Sequence, residues 1–253
     1  MPGSRAEPLV VFLPGFMQRG EAWAPVAELV AERYRCLCLD HRTWTWRERL
    51  AEVRAAAAPG SVLVGYSMGG RLALHAAVAE PERYTALVTV GASPGIEDPV
   101  ARASRRAADE RLAAWMERTG IEEIVAHWEA LPIFEGQPRE LVKDQRDGRL
   151  SHDPARLASL LRSGGQGALE PVWSELPCLR APVLAVAGGL DRPYAEAAMR
   201  VADLVARGEA AIVGEGAGHA AHLERPDAVA RALLHFLGER LDEPRPGGPP
   251  RPG

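Results

Sequence analysis

A serine, an aspartate and a histidine stand far apart in this chain at positions where they could do chemistry together. Ser67 lies in Gly65-Tyr66-Ser67-Met68-Gly69, the Gly-x-Ser-x-Gly pattern of a nucleophile held on a tight turn between a strand and a helix. Asp191 follows Gly188-Gly189-Leu190, and His219 follows Gly214-Glu215-Gly216-Ala217-Gly218. A serine hydroxyl is a poor nucleophile or base until an imidazole can take its proton. The imidazole needs a carboxylate to fix its tautomer and to stabilise its charged form. Ser67, Asp191 and His219 are therefore the expected catalytic residues. Each also has a plainer reading. Asp191 could cap a helix opening at Pro193, His219 could be an ordinary loop residue, and His222 competes for the role of base three residues later. The small residues before His219 favour it, because they let the loop press towards the serine.

Negative charge formed at such a site needs donors. The Met68 N–H, at a helix start, is one. The second is expected from the loop after the first strand, at the Phe16 N–H; Pro14, which has no N–H to give, stands two residues earlier and leaves that position intact.

Positioning these groups requires strands that end just before each of them. The continuous apolar run at 9–13 reads as a strand buried on both faces, closed by Pro14-Gly15-Phe16. A helix at 24–33, a strand at 35–39 and a helix at 46–57 follow. Next come a strand at 61–65, a helix at 69–79 and a strand at 84–90. This alternation predicts an α/β chain with a doubly wound, mainly parallel sheet, whose ligand site lies at the carboxyl ends of the strands. The rhythm then stops. Helical stretches at 100–119, 121–131 and 154–162 predict a helical cap insertion over 96–177, with Asp153-Pro154 as a helix start. Alternation returns with a strand at 183–187, a helix at 194–206, a strand at 210–213 and a helix at 226–241. The expected division is a core of 1–95 and 178–241, the insertion, and a disordered Pro-, Gly- and Arg-rich tail at 242–253.

With 253 residues the chain can bury a sizeable core. A net charge of −4 argues against a nucleic-acid partner. Lys143 is the only lysine, so the abundance of arginine is compositional and a single arginine carries little weight by itself. Cys36, Cys38 and Cys178 form no metal spacing and cannot all pair, which suits a reducing compartment. No apolar run is long enough for a signal-peptide core or a membrane span. The expectation is a soluble cytoplasmic protein without membrane insertion. With no Cys/His metal pattern and no Gly-x-Gly-x-x-Gly after a strand, no metal, dinucleotide or other cofactor is expected.

With these residues in hand, the chain resembles the α/β-hydrolase superfamily over nearly all its length, in the order nucleophile, acid, base. Within it, the chain is similar to the 2-succinyl-6-hydroxy-2,4-cyclohexadiene-1-carboxylate synthase family of menaquinone biosynthesis. Four stretches carry this: Gly65-Tyr66-Ser67-Met68-Gly69-Gly70-Arg71, Gly91-Ala92-Ser93-Pro94-Gly95 with the arginines after it, His127-Trp128 through Pro132-Ile133-Phe134, and Gly216-Ala217-Gly218-His219-Ala220-Ala221-His222-Leu223-Glu224-Arg225-Pro226. The resemblance implies the α/β-hydrolase fold and a lyase that eliminates pyruvate from an enolpyruvyl cyclohexene carboxylate. The small-molecule substrate would carry several carboxylates, which planar guanidinium groups suit. By match to the family, Arg71, Arg105 or Arg106, and Arg146 would bind it, and Tyr66 and Trp128 would shape the pocket. The alternative on the same residues is a small-molecule serine hydrolase. Two features depart from the family: Pro14 stands where it usually has His, and Asp40-His41-Arg42-Thr43-Trp44-Thr45-Trp46 replaces its usual Pro-Gly-His-Gly loop, which would border the pocket.

Overall fold

The computed structural model describes residues 8–214 and 216–242. Six parallel strands form one sheet in the order β2-β1-β3-β4-β5-β6, with β1 Val10–Leu13, β2 Cys36–Cys38, β3 Val62–Tyr66, β4 Ala86–Val90, β5 Val183–Gly188 and β6 Gly208–Val213. The four inner strands are wholly buried, as their predominantly apolar sequences require, and the two outer strands are partly exposed.

Side chains alternate between two apolar layers. Val11, Leu13, Leu63, Leu87, Val183 and Ala185 face one, together with residues of α2 Trp46–Ala56, α3 Met68–Ala79 and α8 Arg192–Leu204. Val10, Phe12, Val62, Val64, Val88 and Val186 face the other, with α1 Ala24–Val30 and α10 Pro226–Asp242. The strand order reverses direction between β1 and β3, which opens a crevice at their carboxyl ends. Phe16 follows β1 and Ser67 follows β3.

Between β4 and β5 run α4 Pro99–Met116, α5 Ile121–Glu129, α6 Arg139–Leu150 and α7 Pro154–Gly164. Asp98 and Asp153 cap α4 and α7, accepting from the Ala101 and Arg156 N–H groups. Ala113, Met116, Ile124, Val125, Leu157 and Leu161 of these helices belong to the same apolar cluster as the sheet. Helix α6 has no counterpart in the sequence expectations; its Arg-Glu-Leu-Val-Lys-Asp-Gln-Arg-Asp-Gly-Arg-Leu run buries only Arg149. A short α9, Ala221–Glu224, follows His219. The tail expected to be disordered lies, from 243 on, outside the described residues.

Candidate active site

Ser67 is placed by strain. It sits between β3 and α3 with φ 48° and ψ −108°, a left-handed backbone that costs on the order of 1–3 kcal/mol in a non-glycine residue. Its N–H donates to the Val90 carbonyl at 2.9 Å. The flanking glycines permit the turn: a Cβ on Gly65 would lie 2.2 Å from the Gly69 carbonyl oxygen, and one on Gly69 would lie 2.1 Å from the Leu13 carbonyl oxygen.

His219 comes to the serine from the loop after β6. Its Nε2 lies 3.3 Å from Ser67 Oγ and its Nδ1 lies 2.7 Å from Asp191 Oδ2. A carboxylate only accepts, so Nδ1 carries the proton and Nε2 is free to take one from Ser67. Asp191 and His219 are both buried. Although Asp191 stands at the N-cap of α8, its side chain makes no capping bond there; the carboxylate is committed to His219. The competing His222 is fully buried, with its ring 4.1 Å from that of Tyr66 and 4.5 Å from that of Trp23. Burial, and then the charge of His219, push its pKa down to about 3. It faces Gln18.

Ser67 and His219 open onto a cavity of about 320 Å³. Phe16 and Met68 line it, and among the described residues neither backbone N–H donates to another group. Tyr66 and Trp128, which the resemblance puts at the pocket, also line it, with Phe134, Leu131, Ile133 and Leu223. Trp128 packs on Phe16 with ring centroids 5.3 Å apart and on Phe134 at 5.5 Å.

Three guanidinium groups also line the cavity. Arg71, Arg105 and Arg149 reach it, with Asp109, Gln166 and Tyr194. Arg105 donates to Asp109 at 2.8 Å, and Arg149 donates to Glu129 at 3.0 Å. Arg71 is different. It is buried, and among the described residues its side chain makes one long 3.5 Å contact, to the Gly164 carbonyl, and pairs with no carboxylate. Burial pulls its pKa down to about 10, so it remains charged at neutral pH.

Three expectations about the cavity's lining change. Arg106 is exposed and does not line the cavity; Arg105, itself partly exposed and paired with Asp109, is the one that does. Arg146 does not line it either; it holds Glu129 from the outer side. Arg149, one turn further along α6, takes the inner place. The Asp40–Trp46 loop does not border the cavity. It is drawn onto α2 and α7 instead: His41 bonds Glu52 at 2.7 Å, Arg49 donates to the Thr43 carbonyl at 3.2 Å, and the Trp46 N–H donates to Ser163 at 3.1 Å.

Gln18, Gln166, Tyr194 and Arg149 were not singled out by the sequence. Tyr194 alone carried a signal, standing one turn into the helix that follows Asp191.

Chemically, the arrangement offers a serine oxygen with an imidazole behind it, two unused backbone donors and three guanidinium groups within one small cavity. It can withdraw a proton, or attack a carbonyl, beside a bound anion. Among the described residues no cluster of His, Cys, Asp or Glu is suited to hold a metal, and no helix is long and apolar enough to cross a membrane.

Comparison with known proteins places these features. The sequence pattern of the alpha/beta hydrolase family matches residues 10–232. A Salmonella paratyphi C protein named 2-succinyl-6-hydroxy-2,4-cyclohexadiene-1-carboxylate synthase is 30% identical over 94% of this chain and 96% of its own. A Bacillus subtilis (strain 168) protein, which bears the same name provisionally, is 33% identical over 93% of this chain and 92% of its own. The solved structure of MenH from S. aureus superposes with a TM-score of 0.85 at 27% identity, covering 95% of this chain and 97% of that one.

Proposed function

The chain belongs to the alpha/beta hydrolase family, and on that premise we propose that it is a carbon–oxygen lyase, eliminating pyruvate from an enolpyruvyl cyclohexene carboxylate to give 2-succinyl-6-hydroxy-2,4-cyclohexadiene-1-carboxylate for menaquinone biosynthesis. The relatives named for that product support it. The observation that carries it in this molecule is Arg71: a buried guanidinium with no carboxylate partner among the described residues, one helical turn from Ser67 in the same cavity. A buried charge left unpaired is costly, and an anionic substrate supplies the missing partner. Arg105 and Arg149 line the same cavity for further carboxylates.

In this reading Ser67 Oγ removes a ring proton as its own proton passes to His219 Nε2, with Asp191 holding the imidazolium. The electron pair of the broken C–H bond moves through the ring, forms the second ring double bond and expels the enolpyruvyl oxygen. His219 returns its proton to the departing enolate, which becomes pyruvate. Negative charge developing on a carbonyl oxygen is met by the Phe16 and Met68 N–H groups. Residues 96–177 act as the cap, supplying Trp128 and Phe134 to keep water from the intermediate.

The test is pyruvate release from the enolpyruvyl cyclohexene precursor, with Ser67→Ala alongside. The parent releases pyruvate, and the variant loses about 10⁴-fold or more in turnover, the scale seen on removing a triad member. Near-normal turnover in Ser67→Ala, or hydrolysis of simple esters with no pyruvate release, overturns the reading.

A further inference from the structure

The loop that carries Phe16 is held in place by groups the mechanism does not use. Among the described residues, two non-glycine residues have positive φ: Ser67, and Met17 at 60°. Met17 directly follows Phe16 and is buried, so the backbone just past the donor is strained and something must hold it there. Gln18 does so twice. Its side-chain Oε1 accepts from the Gly15 N–H at 3.1 Å, and its own N–H donates to the Gly15 carbonyl at 3.3 Å. With Oε1 used, Gln18 Nε2 faces His222 Nε2 at 3.3 Å. Only a neutral imidazole can accept there, which leaves the His222 proton on Nδ1. Burial keeps the ring neutral, its pKa being about 3. The His222 ring is clamped between Tyr66 and Trp23, and the Trp23 indole N–H donates to the Leu13 carbonyl at 2.9 Å. His222 also stands three residues after the base His219, on the same stretch of backbone.

We propose that Gln18 and His222 form a buried latch between the Pro14–Gln18 loop and α9, which directly continues the loop of His219, and that both are positioning residues that keep the Phe16 N–H aimed at the charge developing beside Ser67. The latch rests on the reading of Phe16 as an anion-stabilising donor. It touches the donor loop and the helix that continues the base loop at once, so it sets their separation. Losing it lets Met17 relax out of its left-handed conformation and turns the neighbouring N–H away.

The experiment compares the parent with Gln18→Met, which keeps the length but makes neither bond, with His222→Leu, and with His222→Gln, which still offers Gln18 an acceptor. Pyruvate release gives kcat and KM. The rate at which a small alkyl fluorophosphonate labels Ser67 gives a second readout, since its phosphoryl oxygen needs the same donors. Gln18→Met and His222→Leu are expected to lower kcat about 10- to 100-fold, less than the 10²- to 10³-fold loss on deleting a donor outright. KM should stay within about twofold, and labelling should slow in parallel. His222→Gln should retain most of the parent's kcat. Unchanged kcat and labelling with only a lower melting temperature would make the latch merely structural, and a change confined to KM would make Gln18 a substrate contact; either overturns the proposal. If the parent releases no pyruvate, the lyase reading fails, while the labelling rates still judge the latch. If His222→Leu does not fold, Gln18→Met decides.

Discussion

Four histidines in this fold are held neutral by burial, and they tie its stability to pH. Desolvation lowers the pKa of His222 to about 3 and those of His75 and His152 to about 4, and lowers that of His41. The unfolded chain, with ordinary histidines near 6.5, binds more protons than the folded one at any pH between those values. Stability is therefore full above about pH 6.5 and falls as pH drops towards 4. The denaturant midpoint should be clearly lower at pH 5 than at pH 7.5; a midpoint level across that interval would contradict the assignment. That Ser67, Asp191 and His219 come together was legible at this scale because each lies past the carboxyl end of a strand in a glycine-bearing stretch. Arg149 was not, since nothing in its neighbours separates it from Arg146 until α6 sets which one faces inwards. Gln18 was not, because its partner His222 lies 204 positions away.

The nucleophile's geometry depends on how closely α3 docks on β1. Gly69 is the contact: any Cβ there falls 2.1 Å from the Leu13 carbonyl oxygen, a backbone atom that cannot swing aside. Gly69→Ala should destabilise the fold by about 1–3 kcal/mol or more, the scale of overpacking a close-packed contact, and should displace Ser67. Thermal denaturation checks this, and an unchanged midpoint would show that α3 is free to shift. The elements themselves were largely readable. Strands β1, β3 and β5 are apolar runs, β4 is one broken only by Thr89, and Asp153-Pro154 marks the start of α7 as expected. Helix α6 escaped because its apolar residues Leu141, Val142 and Leu150 make too sparse a stripe to signal a helix. The Asp40–Trp46 loop was misjudged for a related reason: its direction is set by Glu52, Arg49 and Ser163, contacts that no local pattern encodes.

At the scale of the whole molecule, the helices between β4 and β5 have no separate apolar core among the described residues. Ala113, Met116, Ile124, Val125 and Leu157 pack in one cluster with Val11, Leu63 and Leu87 of the sheet. The chain should unfold in a single calorimetric transition, with the van't Hoff and calorimetric enthalpies agreeing; a separate early transition would show that the inserted helices melt alone. The charge distribution is equally telling. A chain of net charge −4 gathers Arg71, Arg105 and Arg149 around one serine, and among the described residues no carboxylate is paired with Arg71. An enzyme acting on neutral esters has no use for a buried, unpaired guanidinium beside its serine. The most direct measurement is kcat/KM for pyruvate release by the parent and by Arg71→Ala, with turnover of a neutral activated ester and the melting temperature followed on both proteins, and with Arg71→Met as a variant that keeps more of the packing. The account predicts a loss of about 1.5–3 kcal/mol in transition-state binding, the scale of a charged hydrogen bond, or roughly 10- to 150-fold, with ester turnover unchanged. Efficient ester turnover without pyruvate release, and indifference to both substitutions, would contradict it.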